Sequence, residues 1–85
     1  MNRSDWFEIW CEDWEGLITT QSLNIKAELD AGWKWKSDRV QHEVNVLNQF
    51  QNTYRLQLGR FAEMEEKQVQ RWCYYDLLRR GAISR

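Results

Sequence analysis

The stretch "SDWFEIWCEDWEGL" (residues 4–17) places three tryptophans four residues apart among five carboxylates. At 100° per residue, all the apolar side chains of this stretch except Ile9 fall in one arc of about 140°, and all the acids except Asp13 fall opposite. The pattern predicts an amphipathic first helix with Ser4 as its N-cap, a tryptophan-lined face and an acidic back. Trp10 and Trp14 lie in the middle of the arc, so we expect them to pack on the rest of the fold, whereas Trp6 lies at its edge.

Two sequence signals separate the residues after the first helix into a turn, a second short helix and a connector. The hydroxyl-rich "TTQS" (residues 19–22) favours a turn, so a second short helix is expected over residues 22–31, ending at Gly32. The "WKWK" stretch (residues 33–36) alternates apolar and basic side chains but is too short for a sheet. It is interpreted as an extended connector.

A long helical pattern begins at Ser37 and runs to about residue 80, where Gly81 is placed to cap it. Apolar side chains recur along it with the alternating spacing of four and three that is typical of a coiled-coil seam. The positions of this seam are Val40, Val44, Leu47, Gln51, Tyr54, Leu58, Phe61, Glu65, Gln68, Trp72 and Tyr75.

The length of this pattern raises the question of whether it forms one helix. About 43 residues would span ~65 Å at ~1.5 Å per residue, whereas a domain of this size has a radius of gyration near 12 Å. The helix therefore either breaks, at Gly59 or in "EMEEKQ" (residues 63–68), or extends to pair with another chain. The fold class predicted is a single all-α domain, residues 1–85: a small helical bundle with a short tryptophan-rich helix, a second short helix and this long helix, dimeric through residues 38–80.

Composition excludes several other classes. The chain has no proline and only four glycines, which disfavours turn-rich β folds. It has no P-loop, glycine-rich dinucleotide motif or HExxH, and a lone His42 with two separated cysteines makes a poor metal site. We therefore expect no enzyme and no cofactor.

The cysteines and the absence of long apolar runs bear on the compartment. No signal peptide and no run of ~20 apolar residues is present, and an acidic helix face is repelled by anionic lipid. We expect a cytoplasmic chain without membrane contact, in which Cys11 and Cys73 are reduced packing residues; a disulfide between them stays open.

The aromatic content predicts a protein-binding surface. Six tryptophans, three tyrosines and three phenylalanines exceed what a thin core needs, and Trp, Tyr and Arg are enriched at interface hot spots. We expect a non-enzymatic interaction module, an adaptor or inhibitor of the kind common among phage and mobile-element accessory proteins, that occupies a partner protein sterically. The candidate partner-binding residues are Trp6, Trp10, Glu12, Asp13, Trp72, Tyr75 and Arg79.

Three alternatives accompany this hypothesis. One is a nucleic-acid-binding regulator in which aromatic rings stack on bases and basic side chains meet phosphates, through Trp33, Lys34, Trp35, Lys36 and Arg39, with Arg55 and Arg60 contributing. Residues 32–60 carry a net charge of +3, with five bases and two acids, whereas residues 1–31 carry −5, with seven acids and two bases.

The acidic helix could instead mimic phosphates, and a coiled-coil assembly piece is the purely structural alternative. The plain interpretation of "WKWK" is two buried tryptophans with solvated lysines.

Overall fold

The computed structural model describes residues 5–84, which form three α-helices and no strand. The helices are α1 (Trp6–Asp30), α2 (Asp38–Phe61) and α3 (Glu66–Arg79). Helices α1 and α2 form an antiparallel hairpin, and α3 runs parallel to α1 against its N-terminal half. The bundle is elongated, with extents of 47 × 26 × 18 Å. The predicted all-α helical fold is confirmed.

The predicted turn at residues 19–22 is wrong, because α1 continues through it. The Ser22 hydroxyl donates a hydrogen bond to the Ile18 carbonyl at 3.0 Å, which satisfies it inside the helix. The buried Gln21 amide donates to the Glu43 carbonyl oxygen at 2.9 Å and to its carboxylate at 2.7 Å. Packing against α2 therefore overrides the local turn signal, and the predicted second short helix is the C-terminal half of α1.

The ends of the helices follow local capping chemistry. Asp5 caps α1 by accepting a hydrogen bond from the Glu8 N–H at 3.2 Å; the predicted cap, Ser4, lies outside the described residues. Gly32 has a φ of 102° and closes a Schellman motif, in which the Trp33 N–H donates to the Glu28 carbonyl at 3.0 Å. The predicted end of the helix at Gly32 is confirmed.

The same chemistry marks the start of α2 and the end of α3. The Ser37 hydroxyl accepts a hydrogen bond from the Val40 N–H at 3.3 Å and caps α2, which confirms the predicted start of the helical pattern at Ser37. Gly81 has a φ of 76° and closes a second Schellman motif, in which the Ala82 N–H donates to the Leu77 carbonyl at 2.9 Å. The connector between α1 and α2 is irregular and turns at residues 35–36, so it is only partly extended.

The predicted long helix breaks at residues 62–65, which overlap the candidate stretch "EMEEKQ" (residues 63–68). The other candidate, Gly59, lies within α2. Glu65 is the N-cap of α3 and forms a capping box, in which its N–H donates to the Gln68 side chain at 3.3 Å. The break lets both Phe61 and Val69 reach the core. It also changes which side chains of α3 face the core: the predicted seam is buried or half-buried along α2, whereas in α3 only Trp72 of the seam packs on the core.

The core lies at the end of the hairpin where all three helices meet. Trp10 is 1% exposed and lies at its centre, with ring centroids 5.0 Å from Phe61, 5.5 Å from Tyr54 and 6.2 Å from Trp72. The buried apolar residues of this cluster are Trp10, Trp14, Phe61, Val69, Cys73 and Leu77. Helix α3 spans only ~21 Å against ~37 Å for α1, so the far half of the hairpin has two helices only.

Gly59 offers a test of the helix assignment. A Cβ at this position would meet no atom within 4 Å, so Gly59→Ala is expected to raise the free energy of unfolding by about 0.5–1 kcal/mol, because alanine loses less backbone entropy in a helix. The same change at Gly32, where φ is 102°, is expected to lower it by about 1–2 kcal/mol. Urea unfolding followed by far-UV circular dichroism measures both. A destabilising Gly59→Ala would contradict a continuous α2.

Candidate partner-binding surface

A groove of about 570 Å³ follows the outer flank of α3. Three of the predicted partner-binding residues, Trp72, Tyr75 and Arg79, lie along it, since their spacing of three and four residues keeps them on one helix face. The residues that line this α3 groove are Met64, Gln68, Arg71, Trp72, Tyr75, Asp76 and Arg79.

The two aromatic side chains of the α3 groove have different environments. Trp72 is half-buried, and its ring packs edge-on against Phe61 with centroids 5.3 Å apart. Tyr75 is 55% exposed and rests on Tyr74, with centroids 5.3 Å apart. The core thus fixes one ring as the wall of the groove and leaves the other ring open to solvent.

The α3 groove has an excess of positive charge. Asp76 is 5% exposed and accepts hydrogen bonds from Trp10 Nε1 at 2.9 Å, from Arg80 Nε at 3.0 Å, and from Arg79. Burial raises the pKa of the Asp76 carboxyl, but these hydrogen bonds outweigh that effect and hold the pKa below its usual value. The carboxylate is therefore neutralised internally, whereas Arg71 is exposed and has no ion pair within residues 5–84.

The other predicted partner-binding residues lie elsewhere. Trp10 is in the core, and Trp6 is half-buried against Tyr74 with centroids 4.8 Å apart, outside the groove. Asp13 accepts from Arg80 Nη1 at 2.6 Å, and with the exposed Glu12 it lines a separate shallow pocket. The structure therefore brings together three of the seven predicted residues.

Four residues of the groove are absent from the predicted partner-binding set: Met64, Gln68, Arg71 and Asp76. A usable signal was present, because Gln68 and Tyr75 belong to the predicted coiled-coil seam. In α3 the seam is only partly buried: Gln68 and Tyr75 are exposed, while Trp72 is half-buried against the core. The α3 part of the stripe predicted to close a dimer thus lines the α3 groove.

The basic residues proposed for nucleic acid do not form one surface. Trp33 and Trp35 are 43% and 53% exposed, so the interpretation in which both are buried is wrong. Arg39 forms an ion pair with Glu28 and lies with its guanidinium carbon 4.6 Å from the centre of the Trp33 ring. The two remaining bases, Arg55 and Arg60, line a different pocket with Leu56 and Glu63. Arg55 lies ~24 Å along α2 from Arg39.

Within the described part of the chain, the cysteines are free and no group of His, Cys, Asp or Glu could hold a metal ion. Burial raises the pKa of the Cys73 thiol to about 12 and also raises that of Cys11, so both are protonated near neutral pH. None of the three helices is long and apolar enough to cross a bilayer.

Comparisons of the chain with protein-family models, with curated proteins and with solved structures gave no match.

Proposed function

We propose that the chain is a non-enzymatic protein-interaction module, an adaptor or inhibitor that binds another protein through the α3 groove. The observation that carries this proposal is an aromatic and arginine-rich groove that the chain's own helices leave uncovered. Tyr75 and Arg71 are exposed beside a Trp72 ring that the core holds in place. Tryptophan, tyrosine and arginine are the residues that most often dominate binding energy in interfaces.

The geometry suggests how such binding would act. A groove of about 570 Å³ has the volume of a site for a peptide segment or a few side chains of a larger surface. Trp72 is pre-organised by its packing on Phe61 and Trp10, which reduces the entropy lost on binding. The rest of the elongated bundle would then block the partner's neighbouring surface sterically.

A homodimer through residues 38–80 is the second candidate. It is supported by the exposed positions of Gln68 and Tyr75, which belong to the predicted seam and lie beside the half-buried Trp72. In this case the α3 groove of one copy would be covered by the same groove of another, as two-fold interfaces require. The chain would then be a structural assembly piece.

Tyr75→Ala separates binding from folding. Because Tyr75 is 55% exposed, its removal is expected to leave stability nearly unchanged and to weaken partner binding about 30-fold, as loss of a hot-spot residue does. The measurement is affinity capture with nuclease-treated lysate, followed by titration of the purified partner against wild type and variant.

Leu56→Ala is the matched control, since Leu56 is 62% exposed on α2 and does not line the α3 groove; binding should not change. Sedimentation of the chain alone tests the dimer. A partner that binds Tyr75→Ala and wild type equally well would contradict the proposed function. A tight dimer that Tyr75→Ala dissociates would favour the assembly piece.

A further inference from the structure

The hairpin tip, residues 33–39, presents two indole rings to solvent at the end of the bundle farthest from the core. Trp33 and Trp35 are each about half exposed, and Lys34 and Lys36 are exposed beside them. Tryptophans commonly bury about 150–250 Å² each. Here the fold directs two of them outward, interleaved with lysines.

Hydrogen bonds fix the backbone of the hairpin tip. The Trp33 N–H donates to the Glu28 carbonyl at 3.0 Å. The Lys34 carbonyl accepts from both the N–H and the hydroxyl of Ser37, at 3.0 and 2.7 Å, and the Gln41 amide donates to the Trp35 carbonyl at 2.8 Å. The indoles and lysines are therefore displayed on an ordered turn, which lowers the entropy lost when a ligand binds them.

The charges around the tip leave the two lysines available. Glu28 is bound by Arg39, and Asp30 is bound by Lys26 at 2.7 Å. No carboxylate pairs with Lys34 or Lys36 among the described residues. Residues 33–39 hold three bases and one acid. The tip is thus a small cationic surface with aromatic faces.

We propose that the hairpin tip binds single-stranded nucleic acid, with unpaired bases stacked on Trp33 and Trp35 and phosphates held by Lys34 and Lys36. Base faces are accessible to aromatic side chains only where the strand is unpaired, so a duplex would not use these rings. Arg39, which is ion-paired with Glu28, covers one face of Trp33, so a base would stack on the opposite face of that ring. DNA and RNA share this chemistry.

An anionic membrane is a poorer fit to the same surface. Burial in lipid would require an apolar tip, but Leu29 is the nearest exposed aliphatic residue. Single strands need only surface contact with the rings and the two ammonium groups.

The test uses the full chain titrated into fluorescently labelled oligothymidylate and oligouridylate, with anisotropy as the readout and ionic strength varied. Binding is expected to weaken with salt with a logarithmic slope of roughly −1.4, the value for two neutralised phosphates on a single strand. W33A/W35A is expected to weaken binding at least about tenfold, and W33F/W35F much less, because phenylalanine still stacks. K34A/K36A is expected to remove most of the salt slope.

Arg60→Ala with Lys67→Ala is the matched charge control, since both side chains are exposed away from the tip; affinity and slope should barely change. Circular dichroism verifies that each variant is folded. Absence of binding at low salt, or equal binding by W33A/W35A, overturns the proposal, as does binding to phosphatidylserine vesicles without binding to either oligonucleotide. Tyr75→Ala should bind the oligonucleotides like wild type, so this site and the α3 groove are tested separately.

Discussion

Replacing Trp10 with alanine is expected to lower the free energy of unfolding by about 3–5 kcal/mol, the usual cost of removing a large aromatic side chain from a core. Trp10 is 1% exposed and packs against rings from all three helices, among them Phe61 and Trp72. Its indole N–H also donates to the buried Asp76 carboxylate at 2.9 Å. Native domains are stable by roughly 5–15 kcal/mol, so this loss is a large part of the total stability of the fold.

Urea unfolding followed by far-UV circular dichroism measures this loss, and Trp35→Ala provides the matched control. The two variants delete the same side chain, but Trp35 is 53% exposed at the hairpin tip. Its removal is expected to change stability by no more than about 0.5 kcal/mol. A loss below about 1.5 kcal/mol for Trp10→Ala would contradict its position at the centre of the core.

The features that sequence reasoning predicted well are those with a local physical cause. The amphipathic arc that places Trp10 and Trp14 inward depends only on helix geometry. The helix ends at Gly32 and Gly81 depend on the left-handed backbone that glycine adopts without strain, and Ser37 caps α2 with its own hydroxyl. Each of these signals lies within four residues of the boundary it marks.

The features that were predicted wrongly or left open depend on partners distant in sequence. Residues 19–22 stay helical because Gln21 finds its hydrogen-bond acceptor on Glu43, 22 residues away. The break at residues 62–65 is selected over Gly59 by the packing that it permits, with Phe61 and Val69 both against the core. Neither choice is visible in a window of a few residues.

The candidate site was predicted in part for the same reason. Trp72, Tyr75 and Arg79, three of the seven predicted residues, line one groove because their spacing of three and four residues places them on one face of a single helix. The direction of that face depends on the phase of α3, which the break resets. The seam was therefore expected to be covered by a second chain along its whole length, whereas in α3 two of its residues, Gln68 and Tyr75, are exposed to solvent.

Replacing Asp76 with asparagine is expected to lower the free energy of unfolding by about 2–3 kcal/mol. The change leaves Arg79 and Arg80 facing a neutral amide in place of a carboxylate that is 5% exposed. Removing one partner of a fully buried ion pair costs about 3–5 kcal/mol. The expected cost is smaller here because Arg80 keeps Asp13 as a second carboxylate at 2.6 Å. Asp30→Asn breaks an exposed pair with Lys26 and is the control, with an expected change within about 0.5 kcal/mol.

The pH dependence of the free energy of unfolding separates the contribution of the Asp76 charge from that of the side chain's shape. The folded chain holds the pKa of Asp76 below the unfolded value of 3.8, so the folded state binds fewer protons there. The stabilisation from the ionised carboxylate is therefore complete above about pH 4 and is lost as the pH falls through the lower, folded-state pKa. Urea unfolding of wild type and Asp76→Asn is measured near neutral pH and at about pH 3. The difference in their free energies of unfolding should be smaller in acid, because only wild type has a carboxylate to protonate at position 76. A gap of constant size at both values would mean that the cost of Asp76→Asn comes from altered packing and that Trp10 and Arg80 do not depend on a charged partner.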